Sequence, residues 1–201
     1  MLYDISRPIH SGMAIYPNNP EVSIRRIQKV SPSASALSEI IMGSHTGTHI
    51  DALSHIQPNA SGIEAYTLDQ LVGMAQVIEL TPEDRVIRAR HLPTISEKRV
   101  LFKTQNSSTP PDVFDPNFTA LAEDTAQLLA DQGVLLVGID ALSIKKKGVK
   151  DRVHEIFLSN GIVVLEGVWF ADVKPGTYEL ICLPMPISGI DGVPARAILR
   201  I

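Results

Sequence analysis

The sequence predicts a mixed α/β domain with a substantial sheet, and it predicts a single domain covering residues 1–201. Short apolar runs rich in Val, Ile and Leu outnumber the segments with helical periodicity. In the second half of the chain, two helical segments are each followed by an extended one, which is typical of α/β folds. The prolines are scattered rather than gathered into a linker, and 201 residues suffice for one sizeable core.

The predicted strands are runs of β-branched and aliphatic residues bounded by Gly, Pro or Asn. They cover residues 75–80, 99–103, 134–139, 162–165, 178–183 and 195–201.

Three helices are predicted from start and stop signals. The clearest covers 117–132, because Asp115-Pro116 offers a cap with a first-turn proline and Gly133 offers a left-handed stop. A shorter helix begins near Asp151 and ends at Asn160-Gly161 for the same reason. The third begins at Thr67 and covers 68–72.

Composition excludes several classes of function. The net charge of −4 and the absence of a basic face argue against a nucleic-acid partner. No apolar run has the length needed to span a bilayer, and residues 1–8 lack a signal-peptide pattern, so we expect a cytoplasmic protein. The single cysteine, Cys182, cannot form an internal disulfide, and we expect it to be a small buried residue of the strand 178–183.

One segment, residues 45–55, combines three of the six histidines with an aspartate. Its donors all have odd numbers, so an extended chain would project them to one side, whereas a helix would scatter them. Gly47 would lie on the same side without a side chain and would leave room between the donors. The donors are His45, His49, Asp51 and His55.

A divalent metal needs several deprotonated N or O donors held close together, and His45, His49 and Asp51 provide such a set. The alternatives are a polar strand with hydrogen-bonded histidines and a closed structural zinc site. A closed site usually recruits cysteines, and none lies nearby, so the donor set favours a catalytic site with an open position. His55 is either a further ligand or a general acid and base beside the metal.

Two further candidates come from the second half of the chain. Glu166 ends an apolar run, where a buried carboxylate is costly unless it finds a cation or hydrogen-bond donors. His154 lies near the start of the short helix before that run, so the two residues could approach each other. The alternatives are a histidine on a helix surface and a hydrogen-bonded glutamate.

The segment 45–55 resembles the His-x-Gly-Thr-His-x-Asp-x-x-x-His signature of the cyclase family, which includes bacterial kynurenine formamidases and isatin hydrolases. The similarity extends over nearly the whole chain. It includes Asp4-Ile5-Ser6 with Tyr16-Pro17, the stretch 133–143, Leu183-Pro184-Met185-Pro186, and the stretch 191–197.

The resemblance implies a swivelling β/β/α fold, a homodimer or a larger assembly such as a tetramer, and a two-metal site that usually holds zinc, with manganese as the alternative. It implies that the first three donors hold one ion and that Asp51 bridges to a second ion, held also by His154 and Glu166. His55 would then be the acid and base.

The chain departs from the family pattern at two places that concern the substrate. Tyr16 stands where the formamidases usually carry a tryptophan against the substrate ring, so we predict that Tyr16 binds substrate. The turn 145–147 consists of three lysines, which are either a solvated surface turn or a means of attracting a substrate carboxylate.

The leading hypothesis is therefore a metal-dependent hydrolase that cleaves the C–N bond of an aryl formamide such as N-formylkynurenine, with metal-activated water and a histidine acid/base. A second hypothesis keeps the chemistry but changes the substrate to a cyclic amide or lactone, as in isatin hydrolysis. A third is a metal-binding protein that has lost catalysis.

Overall fold

The structure is a computed structural model that describes residues 1–201. It contains twelve β-strands and three α-helices, connected by turns and single-turn 3-10 helices. The strands are β1 (Leu2–Asp4), β2 (Ser23–Gln28), β3 (Leu37–Ile41), β4 (His49–Asp51), β5 (Val72–Glu79), β6 (Val86–Ile87), β7 (Arg99–Lys103), β8 (Ala120–Leu121), β9 (Leu136–Ile139), β10 (Val163–Glu166), β11 (Gly176–Pro184) and β12 (Gly192–Arg200). The α-helices are α1 (Leu68–Leu71), α2 (Glu123–Asp131) and α3 (Val153–Ser159). None of the helices combines the length and the apolar character needed to cross a bilayer.

Seven strands form a closed sheet in the order β12, β11, β5, β7, β9, β10, β4, because β4 pairs with β10 on one side and with β12 on the other. The strands β5, β7, β9 and β10 are parallel, and the remaining pairs are antiparallel. β1 pairs with β12 beyond β4. The predicted mixed α/β architecture is therefore confirmed, and the sheet is closed like a barrel.

Alternating side chains divide the barrel into an inner core and an outer layer. Ile50 of β4 and Leu165 of β10 point inward into a fully apolar cluster. Val137 of β9 and Val164 of β10 point outward, where they join a second apolar cluster with residues of α2 and α3. The outer face of the parallel strands is therefore the face that the two longer helices cover.

The predicted strands all form, and each end lies within three residues of its predicted position. α1 follows Thr67 and α3 lies within 151–160, as predicted. The predicted start of the longest helix is wrong, because α2 begins at Glu123 rather than at 117. Residues 120–121 instead form β8 beside β6, and the backbone N–H of Leu121 donates to the carbonyl oxygen of Ile144 at 2.9 Å. These long-range backbone bonds outweigh the local capping signal at Asp115-Pro116.

The prediction of one extended segment over 45–55 is also wrong outside β4. His45 lies in a turn, and residues 53–55 form a 3-10 helix. Gly47 has a φ of +64°, and a Cβ there would lie 3.3 Å from the Cε of Met13, so this glycine serves the turn and does not leave open space between the donors. β4 pairs with β10 on one side and with β12 on the other, and the chain turns at both ends of this short strand.

A close approach of two glycines anchors this turn to the end of β10. A Cβ on Gly167 would collide with the carbonyl oxygen of Gly47. The carbonyl oxygen of Gly167 accepts hydrogen bonds from the Thr48 hydroxyl at 2.7 Å and from the Nε of Arg7 at 3.1 Å.

Gly167→Ala should therefore destabilise the protein more than Gly161→Ala. Both glycines have a φ of +70°, so both variants carry a strain of about 1–2 kcal/mol from the left-handed conformation. Only at 167 does the new methyl group meet backbone, which should cost roughly 1–3 kcal/mol more, because nothing lies within 4 Å of a Cβ at 161. Chemical denaturation of the two variants measures the difference, and equal losses would contradict the packing argument.

Candidate metal centre

Three side chains of the site come from the outer faces of two paired strands. β4 and β10 run antiparallel, with His49 opposite Glu166 and Asp51 opposite Val164. Because Ile50 and Leu165 between them point into the barrel, the side chains of His49, Asp51 and Glu166 point outward together. All three are buried.

His45 reaches this group from the turn before β4. Its Nδ1 lies 2.8 Å from Asp51 Oδ1, and its Nε2 lies 3.0 Å from Asp191 Oδ2. The ring lies against Gly192, where a Cβ would come within 2.5 Å of its Cε1 atom. His45 is therefore placed in the cluster by its contacts with Asp51 and Asp191 and by the space above Gly192, not by the alternation of side chains along a strand.

His154 reaches the cluster from α3, which packs on β10. Its Nε2 lies 3.0 Å from Glu166 Oε1 and 3.4 Å from Asp51 Oδ2. The second oxygen of Glu166, Oε2, lies 3.4 Å from His49 Nε2. The structure therefore brings together all five side chains that the sequence suggested as metal ligands.

The two carboxylates determine the charges in the cluster. Burial alone would raise the pKa of Asp51, but the adjacent His154 and His45 side chains hold that pKa well below its usual range. Burial and the nearby Asp51 charge likewise act to raise the pKa of Glu166, and the adjacent His154 and His49 side chains reverse the shift and lower it. In the opposite direction, these carboxylates outweigh burial and raise the pKa of His45 to about 9 and that of His154 to about 10.

Two buried atoms in the middle of the cluster have no hydrogen-bond partner: Nε2 of His49 and Oδ2 of Asp51. The Nδ1–H of His49 donates to the Gly47 carbonyl oxygen at 2.9 Å, so a neutral ring presents the lone pair of Nε2. That lone pair faces Asp51 Oδ1 at 3.5 Å and Glu166 Oε2 at 3.4 Å. Acceptors facing one another away from water are unfavourable unless a proton or a cation lies between them. The donor set therefore fits a divalent metal ion.

His55 lies at the rim of the cluster, in the 3-10 helix after β4. Its ring centroid is 4.3 Å from that of His45 and 5.6 Å from that of His154. Its side chain makes no hydrogen bond, and its closest carboxylate contact is 4.0 Å, from Nδ1 to Asp191 Oδ2. Burial lowers the pKa of His55. Donor atoms of Asp51, His55 and His154 lie within 4.8 Å of one another, so the geometry leaves His55 open as either a ligand or an acid/base.

A cavity of about 610 Å³ opens onto the cluster. Its polar wall includes His45, His55, His154 and Glu166. Tyr16 also lines the cavity, and its ring packs edge-on against Phe114 with centroids 5.7 Å apart.

Charged side chains also line this cavity. Lys145 and Lys146 of the lysine turn take part, whereas Lys147 does not. The ammonium group of Lys145 contacts Asp151, and that of Lys146 donates to the carbonyl oxygen of Phe118 at 2.7 Å.

Three residues that contribute to the site were not predicted from the sequence. Asp191 and Gly192, which hold His45, stand at the start of β12, and only the Asp-Gly pair within 191–197 could have drawn attention to them. The backbone N–H of Ile144 donates to Glu166 Oε1 at 2.6 Å, a contact that no residue pattern signals.

Cys182 is buried in the inner core, as expected, and burial raises its pKa to about 12.

The sequence model of the family described as "Putative cyclase" matches residues 3–146. The chain belongs to the cyclase family. A kynurenine formamidase of Salinibacter ruber (strain DSM 13855 / M31) is 37% identical over 205 residues, which cover 99% of this chain and 97% of that protein. A kynurenine formamidase of Paracidovorax citrulli (strain AAC00-1) is 34% identical over 210 residues, with 100% and 96% covered.

The cyclase-family fold also agrees with a solved structure described as "potential metal-dependent hydrolase with cyclase activity". The two superpose with a TM-score of 0.86 at 36% identity, covering 99% of this chain and 96% of the other. Both the sequence and the architecture of this chain thus match these proteins over nearly their whole length.

Asp51→Asn should abolish zinc-dependent stabilisation, because Asp51 contacts three of the histidines. Zinc at about 100 times its Kd should raise the free energy of unfolding of the wild type by about 2.7 kcal/mol. Asp112→Asn, which alters an exposed carboxylate paired with His10, is the matched control and should keep the full effect. Thermal denaturation with and without Zn²⁺ provides the measurement, and a zinc-dependent rise in the Tm of Asp51→Asn would count against the metal centre.

Proposed function

We propose that this cyclase-family protein is a metal-dependent hydrolase that cleaves the C–N bond of an aryl formamide such as N-formylkynurenine. The main support is the pair of unpartnered buried atoms, His49 Nε2 and Asp51 Oδ2, in a histidine–carboxylate cluster beside a cavity. The names of the two relatives, at 37% and 34% identity over the full chain, support the choice of substrate.

In this proposal, His45, His49 and Asp51 would hold one metal ion. Asp51 would also contribute to holding a second ion with His154 and Glu166, and its 3.4 Å approach to His154 supports that sharing. Bound divalent metals would polarise the substrate carbonyl and lower the pKa of water towards neutrality. The protein supplies a rigid frame for this chemistry, because the ligands stand on β4, β10 and α3, and Glu166 is further held by the Ile144 N–H.

His55 is the proposed acid and base. Its ring lines the cavity and has no hydrogen bond to the protein, so its nitrogens are free to exchange a proton with substrate. A His55 ring nitrogen first takes a proton from the attacking water and then gives it to the leaving nitrogen. An aryl formamide suits this step, because an aniline leaves more readily than an alkylamine.

The rest of the cavity supports an aromatic amino-acid substrate. Tyr16, backed by Phe114 and Phe118, offers an aromatic surface for the substrate ring. Lys145 and Lys146 line the same cavity together with Asp151 and Glu155, so charges of both signs are available for a zwitterionic amino-acid end. We therefore propose that Lys145 and Lys146 of the lysine turn attract the substrate carboxylate.

We further propose that the metal is zinc, with manganese as the alternative, since histidine and carboxylate donors suit both. The closed sheet, with helices on one outer face, supports the swivelling β/β/α description of the fold. We also propose that the protein is cytoplasmic.

A homodimer or larger assembly is supported by the β2–β3 hairpin, whose apolar side chains are exposed. These are Ile24, Ile27, Leu37, Ile40 and Ile41. A monomer mass in sedimentation equilibrium would contradict that assembly.

Zinc-loaded protein should hydrolyse N-formylkynurenine with a higher kcat/KM than formanilide, which presents the same aryl formamide bond without the amino-acid end. It should also act more slowly on isatin than on N-formylkynurenine. Side-by-side assays after elemental analysis measure this. Preference for isatin would favour the cyclic-amide hydrolase, and a zinc-loaded protein inert towards all three compounds would favour a metal-binding protein without catalysis.

His55→Ala should retain the zinc content of the wild type but lose about 10²–10⁴-fold in kcat, the usual contribution of general acid–base catalysis. Elemental analysis and turnover of the same preparation measure the two effects. His91→Ala is a suitable control, since His91 lies in a separate 3-10 helix outside the cavity. A parallel fall of zinc content and turnover in His55→Ala would identify His55 as a ligand instead.

A further inference from the structure

The ring of His45 is held between two carboxylates that approach its two nitrogens separately. Nδ1 lies 2.8 Å from Asp51 Oδ1, a proposed ligand, and Nε2 lies 3.0 Å from Asp191 Oδ2, which is not among the proposed ligands. A neutral imidazole has one N–H and one lone pair, so it can donate to only one of these carboxylates. Which nitrogen keeps the proton decides whether the ring can bind a metal ion beside Asp51.

Asp191 is itself held in place by the backbone. Its carbonyl oxygen accepts a hydrogen bond from the N–H of Ala52 at 2.8 Å, immediately after β4. The next residue, Gly192, is paired with Asp51 in the sheet. The carboxylate of Asp191 therefore comes from a rigid position at the junction of β4 and β12, although its side chain remains 46% exposed.

Gly192 completes the arrangement by leaving space for the ring. A Cβ at this position would lie 2.5 Å from Cε1 and 2.8 Å from Nδ1 of His45. Gly192 is not in the left-handed region, so its backbone conformation does not require glycine. Position 192 requires glycine because the His45 ring occupies the space that a side chain would fill.

We propose that Asp191 and Gly192 are a positioning pair that fixes the orientation and the tautomer of His45. Asp191 accepts the single proton on Nε2, so Nδ1 presents its lone pair to the metal ion beside Asp51, and Gly192 lets the ring lie where that lone pair reaches the ion. This inference rests on the metal centre of the proposed function. A carboxylate in this position orients a histidine ligand and increases its basicity.

Asp191→Ala should weaken Zn²⁺ binding by about 10–100-fold, the usual effect of removing the outer partner of a histidine ligand. Asp191→Asn keeps an oxygen that can accept the Nε2 proton, so it should recover part of the loss. Asp112→Ala is the matched control: it also removes a carboxylate bonded to a histidine, at 2.9 Å, and its side chain is 52% exposed, but its partner His10 is not a proposed metal ligand. Competition with a chromophoric zinc chelator measures the affinities of the full-length variants.

Two further readouts separate positioning from a general loss of structure. Long-range ¹H–¹⁵N spectra of the zinc-loaded wild type should show the His45 proton on Nε2, shifted downfield by its hydrogen bond to Asp191, and this downfield shift should be lost in Asp191→Ala. Gly192→Ala should also weaken zinc binding, because its methyl group displaces the ring while every polar partner remains. Thermal denaturation without zinc checks that each variant is folded.

The proposal is overturned if Asp191→Ala binds Zn²⁺ within about twofold of Asp112→Ala, or if its His45 spectrum is that of the wild type. If either of these results is found while the wild type binds zinc and hydrolyses N-formylkynurenine in the same preparation, Asp191 has no positioning role and the proposed function stands. If the wild type itself binds neither Zn²⁺ nor Mn²⁺, both proposals are wrong.

Discussion

Two carboxylates, Asp51 and Glu166, lie buried against each other on the outside of the barrel, and the arrangement of the site follows from their need for positive charge. Removing an ionised carboxylate from water costs several kcal/mol unless cations and hydrogen-bond donors replace the lost solvation. Here the donors are histidines and one backbone N–H, from Ile144. The low pKa of both carboxylates shows that this surrounding favours the charged forms despite burial. A pair of such groups beside unpartnered acceptors is stable when a metal ion neutralises it.

The barrel places Asp51 beside Glu166 of β10 through one short strand, β4. β4 has three residues, yet it closes the sheet by pairing with both β10 and β12. Its central residue, Ile50, is buried in the inner core, and this forces the two flanking side chains outward. Closure of the fold and construction of the site therefore depend on the same three residues.

The loops that surround the site are held by a third buried carboxylate, Asp140. It accepts hydrogen bonds from the backbone and side chains of Thr104 and Ser107 and from the amide of Asn106. The residues after Asp140 lead to Ser143, which lines the cavity, and to Ile144, which holds Glu166. Asp140 therefore has a structural role, and it explains how a loop can place a backbone N–H at the metal centre.

The sequence alone determined the residue types of the site and most of the strands, because both depend on local patterns. Spacing and donor chemistry were enough to select His45, His49 and Asp51, and a costly strand-end carboxylate was enough to suggest Glu166. Tertiary structure decided the rest. The register of β4 against β10 placed Glu166 opposite His49, and a turn brought His45 to the cluster where an extended chain was expected. Long-range backbone pairing also shortened α2. The contacts of His45 with Asp191 and Gly192 join residues almost 150 positions apart, and local spacing carries no information about such contacts.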